Sequence, residues 1–539
     1  MKFERYIFIV FTLALMFAAC SESNKSEDQL QDNDTAEDSD ILPGEDIETP
    51  DEKAKSPDFD ETLPCGTKFQ DYACDFTLTL DSGEWNFAEN YSKDENYLFV
   101  FYRGTNSTSK KIWSTKLYNM VDKSPKNIHY FFIVDTDKND VAAEKAQIIE
   151  ESVREAYEMV GNPDILNKIH IVNKPLSETD WINEWLKNNK SEFFFGIDRF
   201  RRIRKGGSFS SWNSSDLPPE FDNLYKEAEY YDYEKKTSDF IEENSGSATA
   251  FKGLKEVPFD EEGWTKDLFF DVDFKGLSKN GELYISLEQI CDDPKKCEWD
   301  RLERLFLCDE TGEKCETEIG RWITTYGRSG EWLTDITPLK PLFEKDGKYK
   351  FKFTVDGDYY VNNLTFYFVE KEGSSVRALV PIFNQREQFD ENYNSHFEPV
   401  TFENAGDVKA VIAAYITGHG NGSEEANCAE FCSFESVFTV NGKDFKIKFD
   451  KAGTSDGCFE NVKNGVVPNQ YGSWPYGRAG WCPGQDVKLI EIDITEALVS
   501  GENVFSYAAY LNGEVYEPVV TDESGYRAEI YLTSFLALY

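Results

Sequence analysis

Apolar and polar positions change rhythm more than once along the 539 residues of this chain. A first apolar run, residues 6–19, follows Lys2 and Arg5 and stops at Cys20. It is too short to span a bilayer and suits the core of an export signal. Residues 97–102, 129–135 and 169–172 are apolar runs that read as buried strands. Between them the period lengthens to that of a helix, and Ala142, Ala146, Ile149, Val153, Ala156 and Val160 share one helical face. Residues 109–121 and 181–187 read as two further helices, and residues 192–198 with 200–207 as a closing hairpin. From about residue 250 the period shortens to two. Runs at 268–274, 282–287, 348–354 and 364–369 are separated by Gly, Asp and Asn turns, and the pattern restarts at 377–383 and continues to a last strand near 529–537. Such alternation predicts antiparallel β-sandwiches, here two in succession.

The β-α-β-α-β-α-β-β order of the first part predicts an α/β layer. In pattern it resembles a thioredoxin-like module, but Gly104-Thr105-Asn106-Ser107-Thr108-Ser109-Lys110 stands where a thioredoxin carries its cysteine pair. Disulfide exchange is therefore not expected of it, and a docking or spacer role is. The chain reads as a mainly β, multidomain protein: a signal peptide (1–19), an acidic tether (20–61), the α/β module (62–215), a charged, tyrosine-rich linker helical near 220–231 (216–249), and two sandwiches (250–375 and 376–539).

Charge narrows the partners. Asp and Glu number 100 against 57 Lys and Arg, a formal net charge of −43. Residues 21–61 are rich in Asp, Glu, Ser and Pro and read as a disordered tether. Nucleic acid is not an expected partner, because no basic patch offsets phosphate repulsion. The one basic stretch, residues 199–205, holds a single aromatic, Phe200, and reads as a solvated hairpin edge. Phe17-Ala18-Ala19-Cys20 resembles a bacterial lipobox. It implies a lipid on Cys20 and an extracytoplasmic chain anchored in the bacterial cell envelope, at the outer membrane or cell surface. Setting Cys20 aside leaves ten cysteines and no CxxC spacing. In an exported chain these read as disulfides rather than metal ligands. Short spacings favour Cys65–Cys74, Cys291–Cys297, Cys308–Cys315 and Cys428–Cys432, which leaves Cys458–Cys482; spacing alone does not fix that connectivity.

The densest chemistry lies in Asn427-Cys428-Ala429-Glu430-Phe431-Cys432. A carboxylate inside a five-residue ring closed by two cysteines has little backbone freedom and a fixed direction, which a substrate-facing acid needs and a solvated one does not. Two further cysteine-framed segments carry polar and aromatic groups: Cys297-Glu298-Trp299-Asp300-Arg301 and Gly477-Arg478-Ala479-Gly480-Trp481-Cys482-Pro483-Gly484.

With Glu318-Ile319-Gly320-Arg321-Trp322-Ile323-Thr324 between them, these segments occur in the order seen in the bacterial peptide-N-glycosidase F family, which residues 251–539 resemble. The resemblance implies two eight-stranded jelly rolls with a site at their interface. It also implies hydrolysis of the amide joining asparagine to the first N-acetylglucosamine of an N-glycan, by a monomer using no cofactor or metal, on glycosylated peptides or glycoproteins. Asp300 matches the family's principal carboxylate, which positions or activates water, and Glu430 the acid that orients the substrate around the first sugar. Arg301 and Arg478 match cleft arginines able to polarise the amide carbonyl. Trp299 and Trp481 are the sugar-stacking candidates, with Trp481 the better placed in its Gly-rich loop. Without the resemblance, Asp300 reads as a partner of Arg301, Glu430 as a solvated acid, and the arginines as rim salt bridges. The chain departs from the family at a third acid. Asp356 and Asp358 are the nearest substitutes, with Tyr359 in place of an aromatic, and Phe431 replaces a tryptophan.

A surface lectin on the same scaffold is the main alternative, since it needs the sugar platform but not both acids. Copper chemistry is excluded: the histidines are His129, His170, His396 and His419, with no methionine beyond Met159. His419, in a Gly-rich stretch, reads as a turn residue. No Gly-x-Ser-x-Gly elbow supports a serine hydrolase. Glycoside hydrolysis by Asp300 and Glu430 remains open in sequence.

Overall fold

In a computed structural model of the chain, the described residues are 54–80, 82–104, 106–176, 180–207, 220–244, 252–256, 266–277, 280–291, 295–355, 360–372, 375–404, 409–421, 428–516 and 527–539. Cys20, most of the tether, Asp356, Asp358 and Tyr359 lie outside them.

The α/β sheet runs in the order Ile169–Val172, Ile128–Asp135, Asn96–Arg103, Phe194–Ile197, Ile203–Lys205. Its first three strands are parallel and the last two antiparallel. Asn96–Arg103 is central and covered on both faces, so its side chains are buried without alternation over six residues. Leu98 and Val100 face the helix Asn139–Val160, whose Ala142, Ile149, Val153 and Ala156 join the same core. Tyr97, Phe99 and Phe101 face the helix Trp181–Asn188, and Phe99 stacks on Phe131 and Phe195.

Two expectations for this part are corrected. Residues 109–121 are not one helix but two, Ser107–Trp113 and Tyr118–Lys123. The hydroxyls of Ser114 and Thr115 both donate to the Lys111 carbonyl, at 2.8 and 2.9 Å, and compete with the backbone for it. The second helix is started by Asp222, whose carboxylate accepts the N–H groups of Asn119 and Met120. The basic stretch does lie on the hairpin at the sheet edge, but it is not solvated throughout: Arg201 is 2% exposed, and Arg204, 12% exposed at its side chain, pairs with Asp198 and Glu234.

The linker contains the helix Tyr225–Asn244, which buries Tyr225, Ala228, Tyr230 and Tyr231. These side chains join one face of the α/β sheet to the core of the following sheets. Its buried charges are matched. Glu227 is fully buried and pairs with Arg328 at 2.9 Å, while Asn469 donates to the same carboxylate.

Four antiparallel sheets follow. The first pair has the orders Lys252–Glu256, Val361–Val369, Glu282–Ile290, Gly330–Asp335 and Lys266–Phe274, Gly347–Val355, Leu302–Leu307, Thr317–Ile323, Gln485–Asp486. They face each other through Phe274 and Phe351 on one sheet and Phe366 and Phe368 on the other. The second pair has the orders Ala378–Gln388, Glu529–Leu538, Ala410–His419, Ile490–Asp493 and Val400–Asn404, Gly501–Leu511, Glu435–Val440, Lys443–Lys448. Its core is built on Phe383, Phe438, Tyr507 and the face Ala410, Ile412, Ala414 and Ile416 of the strand Ala410–His419, while Tyr415 on the opposite face joins the first core. Gln485–Asp486 pairs with Thr317–Ile323, so the chain returns to the first pair of sheets late in its course. That return carries the segment 477–484 across the junction. The five disulfides are Cys65–Cys74, Cys291–Cys297, Cys308–Cys315, Cys428–Cys432 and Cys458–Cys482.

Candidate active site

Three loops meet at the junction, each pinned by backbone bonds to the next. Asp300 and Arg301 lead into the strand Leu302–Leu307. The Arg301 N–H donates to the Thr324 hydroxyl at 2.6 Å, and the Thr324 N–H to the Arg301 carbonyl at 2.9 Å. Gly484 donates back to the Thr324 carbonyl at 3.0 Å, which ties the Gly-rich segment to this strand end. Glu430 sits in the turn closed by Cys428–Cys432. Its N–H donates to Gly420 and its carbonyl accepts from Ala479. Glycine is required at two points of the third loop. Gly480 has φ +83°, and a Cβ there would stand 2.1 Å from the Ile416 carbonyl. A Cβ at Gly477 would stand 1.8 Å from that of Lys451.

Arg478 organises the site. Its side chain is 1% exposed; Nε donates to Glu430 Oε1 at 3.2 Å and Nη2 to Asp300 Oδ2 at 3.3 Å. One guanidinium thus bridges both carboxylates predicted from sequence. Its remaining donors go to the carbonyls of Ser473 and Tyr476 and to the Ser473 hydroxyl, at 3.0, 2.7 and 2.9 Å. The ring of Phe431 lies 5.3 Å from the guanidinium and that of Trp481 5.0 Å from it.

Both acids are pushed up by burial. Asp300 lies above the usual aspartate range because of desolvation, with Arg478, the Tyr326 hydroxyl and Arg301 pulling the other way. Glu430 is raised to about 7, first by burial and then by the nearby Asp300 charge; Arg478 and the Gly420 N–H, 3.1 Å from Oε2, oppose it. Burying two acids around one cation produces this result, since a single guanidinium cannot fully neutralise both.

Sequence reasoning missed Tyr326 and Ser473. The Tyr326 hydroxyl lies 3.4 Å from the Ser473 hydroxyl and accepts from Arg478 at 3.5 Å; it helps hold the Asp300 pKa down, and burial with the Asp300 charge keeps it protonated. Tyr326 stands two residues beyond Thr324, the end of a recognised segment, so position was the available signal. Ser473 lay in a turn without periodicity and gave none.

The two tryptophans exchange places relative to expectation. Trp299 is 53% exposed, with Arg301 5.9 Å from its ring centroid. Trp481 is only 6% exposed. Its indole N–H donates to the Gly418 carbonyl at 2.6 Å, and its ring stacks on His419. It is packing, not a platform. His419 is likewise no turn residue: it ends the strand Ala410–His419 and sits between Trp481 and Tyr531. Burial and then Arg321, Arg304 and Arg386 hold its pKa far below the usual histidine value. The substitutes for a third acid, Asp356 and Asp358, fall outside the described residues. Among the described residues no cluster of three or more His, Cys, Asp or Glu is placed to hold a metal ion, and no helix is long and apolar enough to cross a membrane.

Parts of the chain are similar to known proteins. Residues 392–537 match the family model for "Peptide-N-glycosidase F, C terminal". The peptide-N(4)-(N-acetyl-beta-D-glucosaminyl)asparagine amidase F of Elizabethkingia miricola is 27% identical over 248 residues. That match covers 40% of this chain and 63% of the relative, so the chain spans less than two thirds of the relative's length. A solved structure of PNGase F, a glycosylasparaginase from Flavobacterium meningosepticum, is 19% identical at a TM-score of 0.41, covering 54% of this chain and 96% of that one. A structure of PNGF-II is 14% identical at a TM-score of 0.40, covering 56% and 66%.

Proposed function

With residues 392–537 matching the C-terminal model of the peptide-N-glycosidase F family, we propose that the chain is an exported peptide-N-glycosidase that hydrolyses the amide between asparagine and the first N-acetylglucosamine of N-glycans. In this reading each pair of sheets in 250–539 is a jelly roll. The α/β module is a thioredoxin-like spacer or docking unit, and a lipid on Cys20 holds a monomer to the envelope. The observation that carries the proposal is the single buried guanidinium bridging Asp300 and Glu430.

The chemistry follows from the contacts. Asp300, ionised and steadied by Arg478 and Tyr326, takes a proton from a water molecule whose oxygen attacks the side-chain carbonyl carbon. The carbonyl π electrons move to oxygen, then return as the carbon–nitrogen bond breaks. Asp300 hands the proton it took from water to the nitrogen, which leaves as the glycosylamine, and asparagine becomes aspartate. The donors of Arg478 already point at protein acceptors. Arg478 is therefore a positioning residue, and polarising the carbonyl falls to Arg301, a role whose removal costs roughly 3 kcal/mol where an oxyanion donor is lost. Glu430 accepts from its protein donors as a carboxylate and orients the first sugar through the hydroxyls that reach it. Trp299 supplies the exposed ring face. A lectin would have no use for a second acid buried at cost beside the first.

The test is product analysis. The soluble chain, beginning after Cys20, is incubated with a short N-glycopeptide. The proposal expects intact glycan and a peptide carrying aspartate. A peptide retaining one N-acetylglucosamine would mean glycosidic cleavage and overturn it, as would binding without release.

A further inference from the structure

A concavity lies beside the carboxylate pair. It encloses about 830 Å³ between the helix Tyr225–Asn244 and the loops following Lys443–Lys448 and Gln485–Asp486. Neither Asp300 nor Glu430 lines it, but Gly477, Arg478 and Trp481 do. It therefore borders the segment whose arginine bridges the two acids.

Its charge runs against that of the chain. The whole sequence carries 100 acids and 57 lysines and arginines. This lining has Lys236, Lys448, Lys451, Lys463 and Lys488 against only Asp450 and Asp486. Lys448 pairs with Asp450 at 3.5 Å and Lys488 with Asp486 at 2.6 Å. Lys236, Lys451 and Lys463 are exposed and have no ion pair among the described residues. Lys451 and Lys463 come from a loop and the 3₁₀ turn that follows it, and Lys236 comes from a helix more than 200 residues earlier, so their meeting is a product of the fold. Between them stand the half-buried rings of Phe240 and Phe449, with the amide of Asn461 alongside.

We infer that this cleft binds the acidic arm of an oligosaccharide, a sugar bearing a carboxylate or a sulfate. Aromatic faces suit the apolar faces of sugar rings, the amide suits hydroxyls, and three unpaired ammonium groups suit one or two anions. The sugar part of the inference rests on the proposed function. The anion part rests on the cleft alone.

The test uses free biantennary N-glycans without asparagine, carrying sialic acid, sulfate or neither, titrated into the soluble chain. Acidic glycans are expected to bind about tenfold more tightly than the neutral one, with the preference falling as salt rises. Lys236→Glu combined with Lys451→Glu and Lys463→Glu should bring the three glycans within about twofold of one another, and the milder triple glutamine variant should give part of that loss. Hydrolysis of a neutral glycopeptide should be unchanged, since none of these lysines touches the carboxylate pair. Preference for sialic acid alone or for sulfate alone supports the inference and names the anion. No acidic preference in the parent chain, or a preference surviving in both triple variants, overturns it. Absent hydrolysis with retained acidic preference would sink the proposed function and leave this site standing.

Discussion

Replacing Arg478 by methionine tests the arrangement on which the account depends. The arginine is 1% exposed at its side chain, and the two carboxylates it bridges are 16% and 17% exposed. Removing one partner of a buried ion pair typically costs about 3–5 kcal/mol, because the remaining charge is left without compensation. Here two acids lose the same partner, but they can escape by binding protons. Glu430 already stands at about 7 and Asp300 above its usual range, and both would rise further without the cation. An acid whose folded pKa exceeds its unfolded value stabilises the fold at low pH and loses that contribution as pH rises through the folded value. The destabilisation of Arg478→Met should therefore depend on pH. Near pH 8 the full 3–5 kcal/mol or so is expected. Near pH 5 Glu430, well below its value of about 7, is protonated, and Asp300, raised by burial, takes up its proton as pH falls, so the loss shrinks toward the roughly 1–2 kcal/mol of the lost hydrogen bonds to Ser473 and Tyr476. Denaturant unfolding of both proteins at the two pH values measures this. Equal losses at both would refute the idea that the acids share one counter-charge.

Other outcomes follow from the same contacts. The kcat/KM of the parent chain on a glycopeptide should rise with pH through about 7 as Glu430 ionises, and Glu430→Gln should lower activity and remove that limb. Trp299→Ala should raise KM several-fold, in line with one lost aromatic platform, while leaving Tm in place. Trp481→Ala should instead destabilise by about 3–5 kcal/mol as a core deletion. Glu227→Ala leaves Arg328 without its carboxylate and Asn469 without an acceptor, so about 3–5 kcal/mol of stability should be lost with kcat on a short glycopeptide little changed.

What could be read from the sequence was what repeats or what is covalently framed. The face Ala142 to Val160 and the period-two runs located most helices and strands, because burial on one face imposes those spacings. Glu430 and Arg478 were legible because each sits in a loop constrained by cysteines or glycines, whereas Asp300 was legible only through the resemblance of its segment to the family. Their sharing of one guanidinium was not, since it depends on Gln485–Asp486 returning to the first pair of sheets and no local pattern records that. Trp481 misled for a related reason: a Gly-rich loop suggests exposure, yet Gly480 is there to bring the backbone against Ile416, and the ring is drawn in with it. The linker helix misled through its charge. Glu227 and Glu234 look solvated in sequence and are buried because Arg328 and Arg204, distant along the chain, meet them.

The central claim is that Asp300 activates water for attack on the asparagine amide. Its most direct test is hydrolysis of a denatured N-glycoprotein in ¹⁸O-water by the soluble chain and by Asp300→Asn, with mass spectrometry of the peptides. The account predicts ¹⁸O-labelled aspartate at formerly glycosylated asparagines with the parent chain and none above background with the variant. Labelled aspartate from both proteins at similar rates would contradict it.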